Sequence, residues 1–134
     1  MFTLDLRLDA DTYAVTCVDD IAVRLMRDSR YWWLVLVPQI EGAVEWHDLD
    51  EGPRRQLFDL SMRCADGVRA LAGADKMNVA SLGNMVRQLH VHIIARHEND
   101  AAWPGPVWGV GESVDYDEEN AGQRIKMIHG LLNK

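Results

Sequence analysis

Three polar side chains at two-residue spacing, Gln88, His90 and His92, interrupt the apolar run Gln88-Leu89-His90-Val91-His92-Ile93-Ile94. In an extended chain, side chains two apart share a face, so these three project together while Leu89, Val91 and Ile93 enter the opposite side. Two imidazoles and an amide can supply a nucleophile, donors for phosphate oxygens, and a cation once protonated. An imidazole nitrogen that attacks phosphorus gives a phosphoramidate, which water can resolve in a second step. The spacing also admits two other readings. Histidines in strands are often satisfied polar residues without chemistry. Alternatively, His90, His92 and His97 could be nitrogen ligands of a metal, although no nearby cysteine completes the set and His97 lies across a change of chain direction.

The elements that must position these residues follow from pattern. Leu4, Leu6 and Leu8 alternate with charged residues and Tyr13 to Val18 is rich in β-formers, which together predict a hairpin turning at Asp9-Ala10-Asp11. Ile21 to Met26 follows as a strand, closed by Arg27-Asp28-Ser29-Arg30. Trp32 to Val37 is apolar without alternation, as in a central strand covered on both faces, and Pro38 ends it. Leu57, Leu60, Cys64, Val68 and Leu71 recur at helical intervals, so Pro53 to Ala72 reads as an amphipathic helix with Asp50 before it and Gly73 after it. Met77 to Leu82 and Leu89 to Ala95 are the next strands, joined through Gly83-Asn84. Glu98 to Glu112, with its prolines, glycines and two tryptophans, reads as an ordered irregular loop. Ala121, Ile125, Ile128 and Leu132 mark a short C-terminal helix, with Asp117 to Glu119 at its positive end and Lys134 at its negative end. The expectation is a single α+β domain over residues 1–134: a mostly antiparallel sheet, one long helix packed on it and a short C-terminal helix.

Composition narrows the partners. The chain has 134 residues, 48% hydrophobic and 26% charged, enough for one core and far from disordered compositions. A net charge of −7 with scattered arginines argues against a nucleic-acid polymer, yet leaves room for a small phosphorylated ligand held by local donors. Cys17 and Cys64 form no CxxC pair and read as reduced packing residues. The amino terminus has neither a basic n-region nor an apolar h-region, and the apolar run from Tyr31 to Pro38 is too short to span a bilayer. A cytoplasmic protein with no membrane partner is expected.

The motif Gln88-Leu89-His90-Val91-His92-Ile93-Ile94 resembles the His-φ-His-φ-His-φ-φ signature of the histidine triad (HIT) superfamily, with Gln88 at the first histidine position. The long helix, Asn78, Gly83-Asn84, the motif and Arg96 follow in the family's order. Leu82-Gly83-Asn84-Met85-Val86 and Trp103-Pro104-Gly105-Pro106-Val107-Trp108-Gly109 look like a bacterial branch of small HIT-domain proteins, and the likeness covers roughly residues 13 to 110. The resemblance implies a HIT-like fold, a homodimer, no cofactor and no resident metal. It implies hydrolysis or transfer at the α-phosphate of a nucleotide conjugate, such as a dinucleoside polyphosphate or a nucleoside phosphoramidate. On that likeness His90 is the nucleophile that forms a nucleotidyl-histidine, and His92 orients the centre and helps hold phosphate oxygens. Asn84 lies near the leaving group or bridging oxygen, Gly83 is expected among the substrate-binding residues, and Asn78, Asp28 or Arg27 lie near ribose-contacting positions.

Gln88 is the departure from the signature. Its amide can donate a hydrogen bond but cannot titrate, so it replaces only the orienting part of a histidine's role. A non-catalytic nucleotide-binding module is the alternative reading. Of Trp32 and Trp33, one is expected in the core and the other at a pocket or interface wall, and Trp103 and Trp108 are expected to meet a second subunit. His47 and His129 belong to no constellation and should be exposed.

Overall fold

The computed structural model describes residues 1–133; Lys134, expected at the end of the last helix, lies outside the described residues. The elements are helix α1 (Leu6–Asp11), strands β1 (Thr12–Val18), β2 (Ile21–Met26) and β3 (Trp32–Pro38), and a 3-10 turn at Trp46–Asp48. Helix α2 (Glu51–Ala72), strands β4 (Lys76–Ala80) and β5 (Val91–Arg96), and helix α3 (Glu118–Leu132) complete the chain. The five strands form one sheet in the order β1-β2-β3-β5-β4, antiparallel at every pairing. This is the α+β architecture expected from the pattern.

The unbroken apolar sequence of β3 has the expected cause: all its residues but Trp32 are buried, and β5 is buried throughout. Alternate residues feed two separate cores. Leu34, Leu36, Val91 and Ile93 join Leu57, Leu60, Cys64 and Val68 of α2, with Ile128 and Leu132 of α3. Trp33, Val35, Val37 and Ile94 face the other way and are covered by Leu8 of α1 and by Ala102 and Val107 from the long loop. One face of the sheet is therefore roofed by the two longer helices and the other by the short helix α1 and irregular chain. Gly73 ends α2 in the left-handed conformation (φ 59°), which an L side chain adopts at a cost.

Two expectations are corrected. Residues 4–8 form no strand. The Asp5 carboxylate accepts hydrogen bonds from the Arg7 and Leu8 backbone amides at 2.8 and 3.3 Å and starts α1, leaving Leu6 in solvent and Leu8 buried. The alternation that suggested a strand places only one of these leucines in the core. The motif strand also begins later than expected. Val91 is the first residue of β5 paired to β3 and His92 the first paired to β4, while the Leu89 amide donates to the Ala43 carbonyl at 2.9 Å. His90 thus immediately precedes β5, and Gln88 lies in a bend.

The loop after β5 is built on a buried ion pair. The Asp100 carboxylate accepts from Arg96 Nε and a terminal guanidinium nitrogen at 2.8 and 3.0 Å, and from the backbone amides of His97, Ala102 and Trp103. Arg96 also donates to the Asn78 side-chain oxygen and the Gly105 carbonyl. These bonds hold the Asp100 carboxyl down at about 2, with the Arg96 interaction the largest cause. Cys17 is exposed and Cys64 buried, both unpaired. Among the described residues, no helix is long and apolar enough to cross a membrane.

Because Arg96 and Asp100 are nearly inaccessible, removing one leaves the other charge buried without compensation. Asp100→Ala is expected to lower the unfolding free energy in urea by roughly 3–5 kcal/mol. A loss below about 1 kcal/mol, typical of an exposed pair, would contradict this.

Candidate functional site

His90 and His92 lie on the sheet face opposite α2, with ring centroids 4.9 Å apart and planes at 74°. Both are buried, at 6% and 5% exposure. Two hydrogen bonds fix where their protons sit. His90 Nδ1 is 2.7 Å from the Gln88 carbonyl oxygen, which only accepts, so Nδ1 carries the hydrogen and Nε2 of the neutral ring keeps a lone pair. The Trp33 indole N–H, which only donates, reaches His92 Nδ1 at 2.9 Å, so the neutral His92 carries its proton on Nε2. Neighbouring rings therefore hold opposite tautomers, one offering a base nitrogen and the other an N–H. Burial, with a smaller contribution from the nearby His90, pushes the His92 pKa down to about 3, so this ring stays neutral at ordinary pH.

The aromatic packing is equally specific. Trp108 stands edge-on to His92 at 5.0 Å and to Trp33 at 5.9 Å, closing the imidazole between two indoles. Trp33 is the wall expected of one tryptophan in its pair. Trp32 instead lies against the Arg124 guanidinium, 4.5 Å from its ring centroid, beside α3. Trp108 meets the histidines of its own chain, whereas Trp103 lies near the buried Arg96.

In front of the histidines is a cavity of about 870 Å³. Of the residues singled out in the sequence, His90, His92, Gly83, Asn84, Arg27 and Asp28 line it. Gly83 has φ 77°, a turn that brings Asn84 to the rim. Arg27 lies over the Tyr13 ring, 3.8 Å from its centroid, and its buried Nε has no partner among the described residues. Asp28 reaches the cavity wall with both carboxylate oxygens engaged. They hold Arg30 at 2.8 to 3.2 Å, and Arg30 in turn donates to the Val110 carbonyl. This pair secures the end of the long loop.

Gln88 and Asn78 do not line the cavity. The Gln88 carboxamide turns to the N-terminal segment, and Asn78 accepts from the buried Arg96. His97 is not beside the other two histidines, its Nε2 being 3.0 Å from the Ala72 carbonyl, so the ligand trio of the metal reading is not assembled. Among the described residues no three His, Cys, Asp or Glu side chains gather around a cation-sized point. His47 and His129 are exposed.

Arg7, Leu8 and Asp11 of α1 also line the cavity, a wall that pattern reading missed because it made this segment a strand. The cap signal Asp5, followed by two amides within reach, was the available clue.

A family model described as HIT domain matches residues 7–99. The chain belongs to the HIT family. Three solved HIT structures are similar along nearly their whole length. A histidine triad protein from Marinobacter aquaeolei VT8 is 42% identical with TM-score 0.97, covering 99% of this chain and 97% of that one. One from Sinorhizobium meliloti 1021 is 41% identical with TM-score 0.96, and one from Bradyrhizobium japonicum 40% identical with TM-score 0.95, each covering 98% of both chains. No match was found among curated proteins. Within the HIT fold, the tautomer pair, the indole cage and the α1 wall are features of this chain's own residues.

The depressed His92 pKa couples the site to stability. Between its ordinary value near 6.5 and about 3, the unfolded chain binds a proton at this position that the folded chain does not. Stability is fully present above pH 6.5 and falls as pH drops through that window. His92→Gln is expected to remove about one proton from the pH dependence measured by urea unfolding between pH 5 and 6.5, a slope smaller by about 1.4 kcal/mol per pH unit. An unchanged slope would show that this imidazole titrates freely in the folded protein.

Proposed function

We propose that this HIT protein hydrolyses, or transfers from, the α-phosphate of a nucleotide conjugate through a nucleotidyl-histidine at His90. Proteins of this superfamily are generally nucleotide-binding hydrolases and transferases. The observation that carries the reading here is the His90 hydrogen bond to the Gln88 carbonyl, which leaves the other nitrogen of a cavity-lining imidazole with an unshared pair. That nitrogen attacks the α-phosphorus and forms the N–P bond, while the bond to the bridging oxygen or nitrogen breaks and the leaving group departs with its electron pair and gains a proton. Water then attacks phosphorus, the N–P bond breaks, and a nucleoside monophosphate leaves with the imidazole restored.

The remaining residues have supporting parts in this proposal. His92 donates from Nε2 to a phosphate oxygen without changing charge, the kind of preorganised donor that stabilises charge developing in a transition state. Asn84 stands at the leaving-group side, and Arg27 with its unpartnered Nε supplies a cation at the wall. The family resemblance extends the proposal to a cytoplasmic homodimer, for which the edge strand β4 and the exposed Phe58 and Met62 of α2 are available surfaces. A small nucleotide, rather than a nucleic-acid polymer, suits the net charge of −7.

A fluorogenic adenosine phosphoramidate and a diadenosine polyphosphate test the reading. His90→Ala is expected to lower kcat/KM by about 10⁴-fold or more, as loss of a covalent nucleophile does. Protein quenched under alkaline conditions during turnover should carry an adenylyl group at His90 by mass spectrometry. If wild type and His90→Ala give the same background while both bind adenosine 5′-monophosphate, the protein is a nucleotide-binding module and not a hydrolase.

A further inference from the structure

The residue at the first motif position faces away from the chemistry. The Gln88 side-chain oxygen accepts from the Asp5 amide at 2.9 Å, and its amide nitrogen donates to the Thr3 carbonyl at 2.9 Å. The same residue's main-chain carbonyl accepts from His90 Nδ1 at 2.7 Å. One residue thus joins the amino-terminal segment through its side chain to the ring of His90 through its backbone.

The segment it holds is a wall of the cavity. Asp5 caps α1, and α1 places Arg7, Leu8 and Asp11 along the cavity. Leu8, at 4% exposure, belongs to the core cluster that contains Trp33, Val35, Ile94 and Val107. A helix of six residues does not persist in water on its own, so its place depends on such anchors. The Gln88 carboxamide is the only side chain of another element that bonds the main chain of residues 3 to 5 among the described residues.

We infer that the Gln88 side chain has a positioning role, as a two-point clasp that fixes the α1 wall against substrate and takes no part in handling protons. The inference rests on reading the cavity as the nucleotide site. Chemistry supports this assignment over imitation of a histidine. A carboxamide presents one acceptor and one donor on the same planar carbon, which fits the Asp5 N–H and the Thr3 C=O together. A carboxylate of the same length would meet the Thr3 oxygen without a proton. An imidazole separates its donor from its acceptor across the ring and cannot present both side by side. Glutamine therefore satisfies a local demand that histidine does not.

The experiment compares wild type with Gln88→Ala, Gln88→Glu and Gln88→His, using the fluorogenic adenosine phosphoramidate for kinetics and amide hydrogen exchange at Asp5 for the clasp. The alanine and glutamate variants are expected to raise KM about tenfold, with a much smaller change in kcat, and to speed exchange at Asp5. Gln88→His should behave like them, with no gain in kcat and no new ionisation in its pH profile. Asp5→Pro breaks the clasp from the other side. Its ring suits the residue's φ of −53° while removing the amide hydrogen, and because it also removes the carboxylate that caps α1 it is compared with Asp5→Ala, which loses the cap and keeps the amide; the further rise in KM from alanine to proline reads the clasp, with residues 81–92 untouched. A Gln88→His variant with higher kcat and an added ionisation would overturn the proposal, as would Gln88→Ala with unchanged KM and unchanged exchange. Should wild type neither turn over the phosphoramidate nor bind adenosine 5′-monophosphate, while Asp5 exchange still rises in Gln88→Ala, the nucleotide reading fails and the clasp stands.

Discussion

The hydrogen bond from His90 Nδ1 to the Gln88 carbonyl decides what the rest of the site can do. A buried imidazole without a fixed partner is free to place its proton on either nitrogen, and half of the choices leave no lone pair toward the cavity. A backbone carbonyl cannot donate, so it removes the choice. That carbonyl points at the ring because the chain bends at Gln88 before β5 begins, with the Leu89 amide tied to Ala43. The neighbouring ring is fixed in the opposite sense by the Trp33 indole. Burial of both rings then makes charge costly at His92 and leaves this ring a neutral donor.

The sheet supplies the site with its floor, and the short helix α1 and irregular chain supply its walls. Helices α2 and α3 cover one face and leave the histidine face to α1 and the long loop, which have few backbone bonds of their own. Buried charge replaces regular structure there. Asp100 gathers Arg96 and three amides, and Asp28 gathers Arg30, which reaches the Val110 carbonyl. Trp108 is thereby carried onto His92 from a segment without helix or strand. The arrangement places adaptable loop chemistry over a rigid strand, the usual division between scaffold and binding surface.

Much of this was legible in residue order. The long helix, the central strand and the shared face of His90 and His92 follow from periodicity, because 3.6- and 2-residue repeats are local geometry. The clasp at Gln88 was not legible, since its partners lie 83 and 85 residues away. The same holds for Trp33, whose indole meets His92 only because β3 pairs with β5 in the register that sets Val35 opposite His92. The α1 error had a local cause: three leucines at alternate positions fit a strand, and one carboxylate capping two amides outweighed them.

The sequence by itself determined the fold class, the family and which side chains are chemically able to act, because these depend on residue type and spacing along the chain. Tertiary structure decided which of those side chains face the cavity, which nitrogen of each imidazole holds its proton, and that Gln88 serves the amino-terminal wall. Each of these depends on contacts between residues far apart in the chain, and no local pattern encodes the register or direction in which they meet.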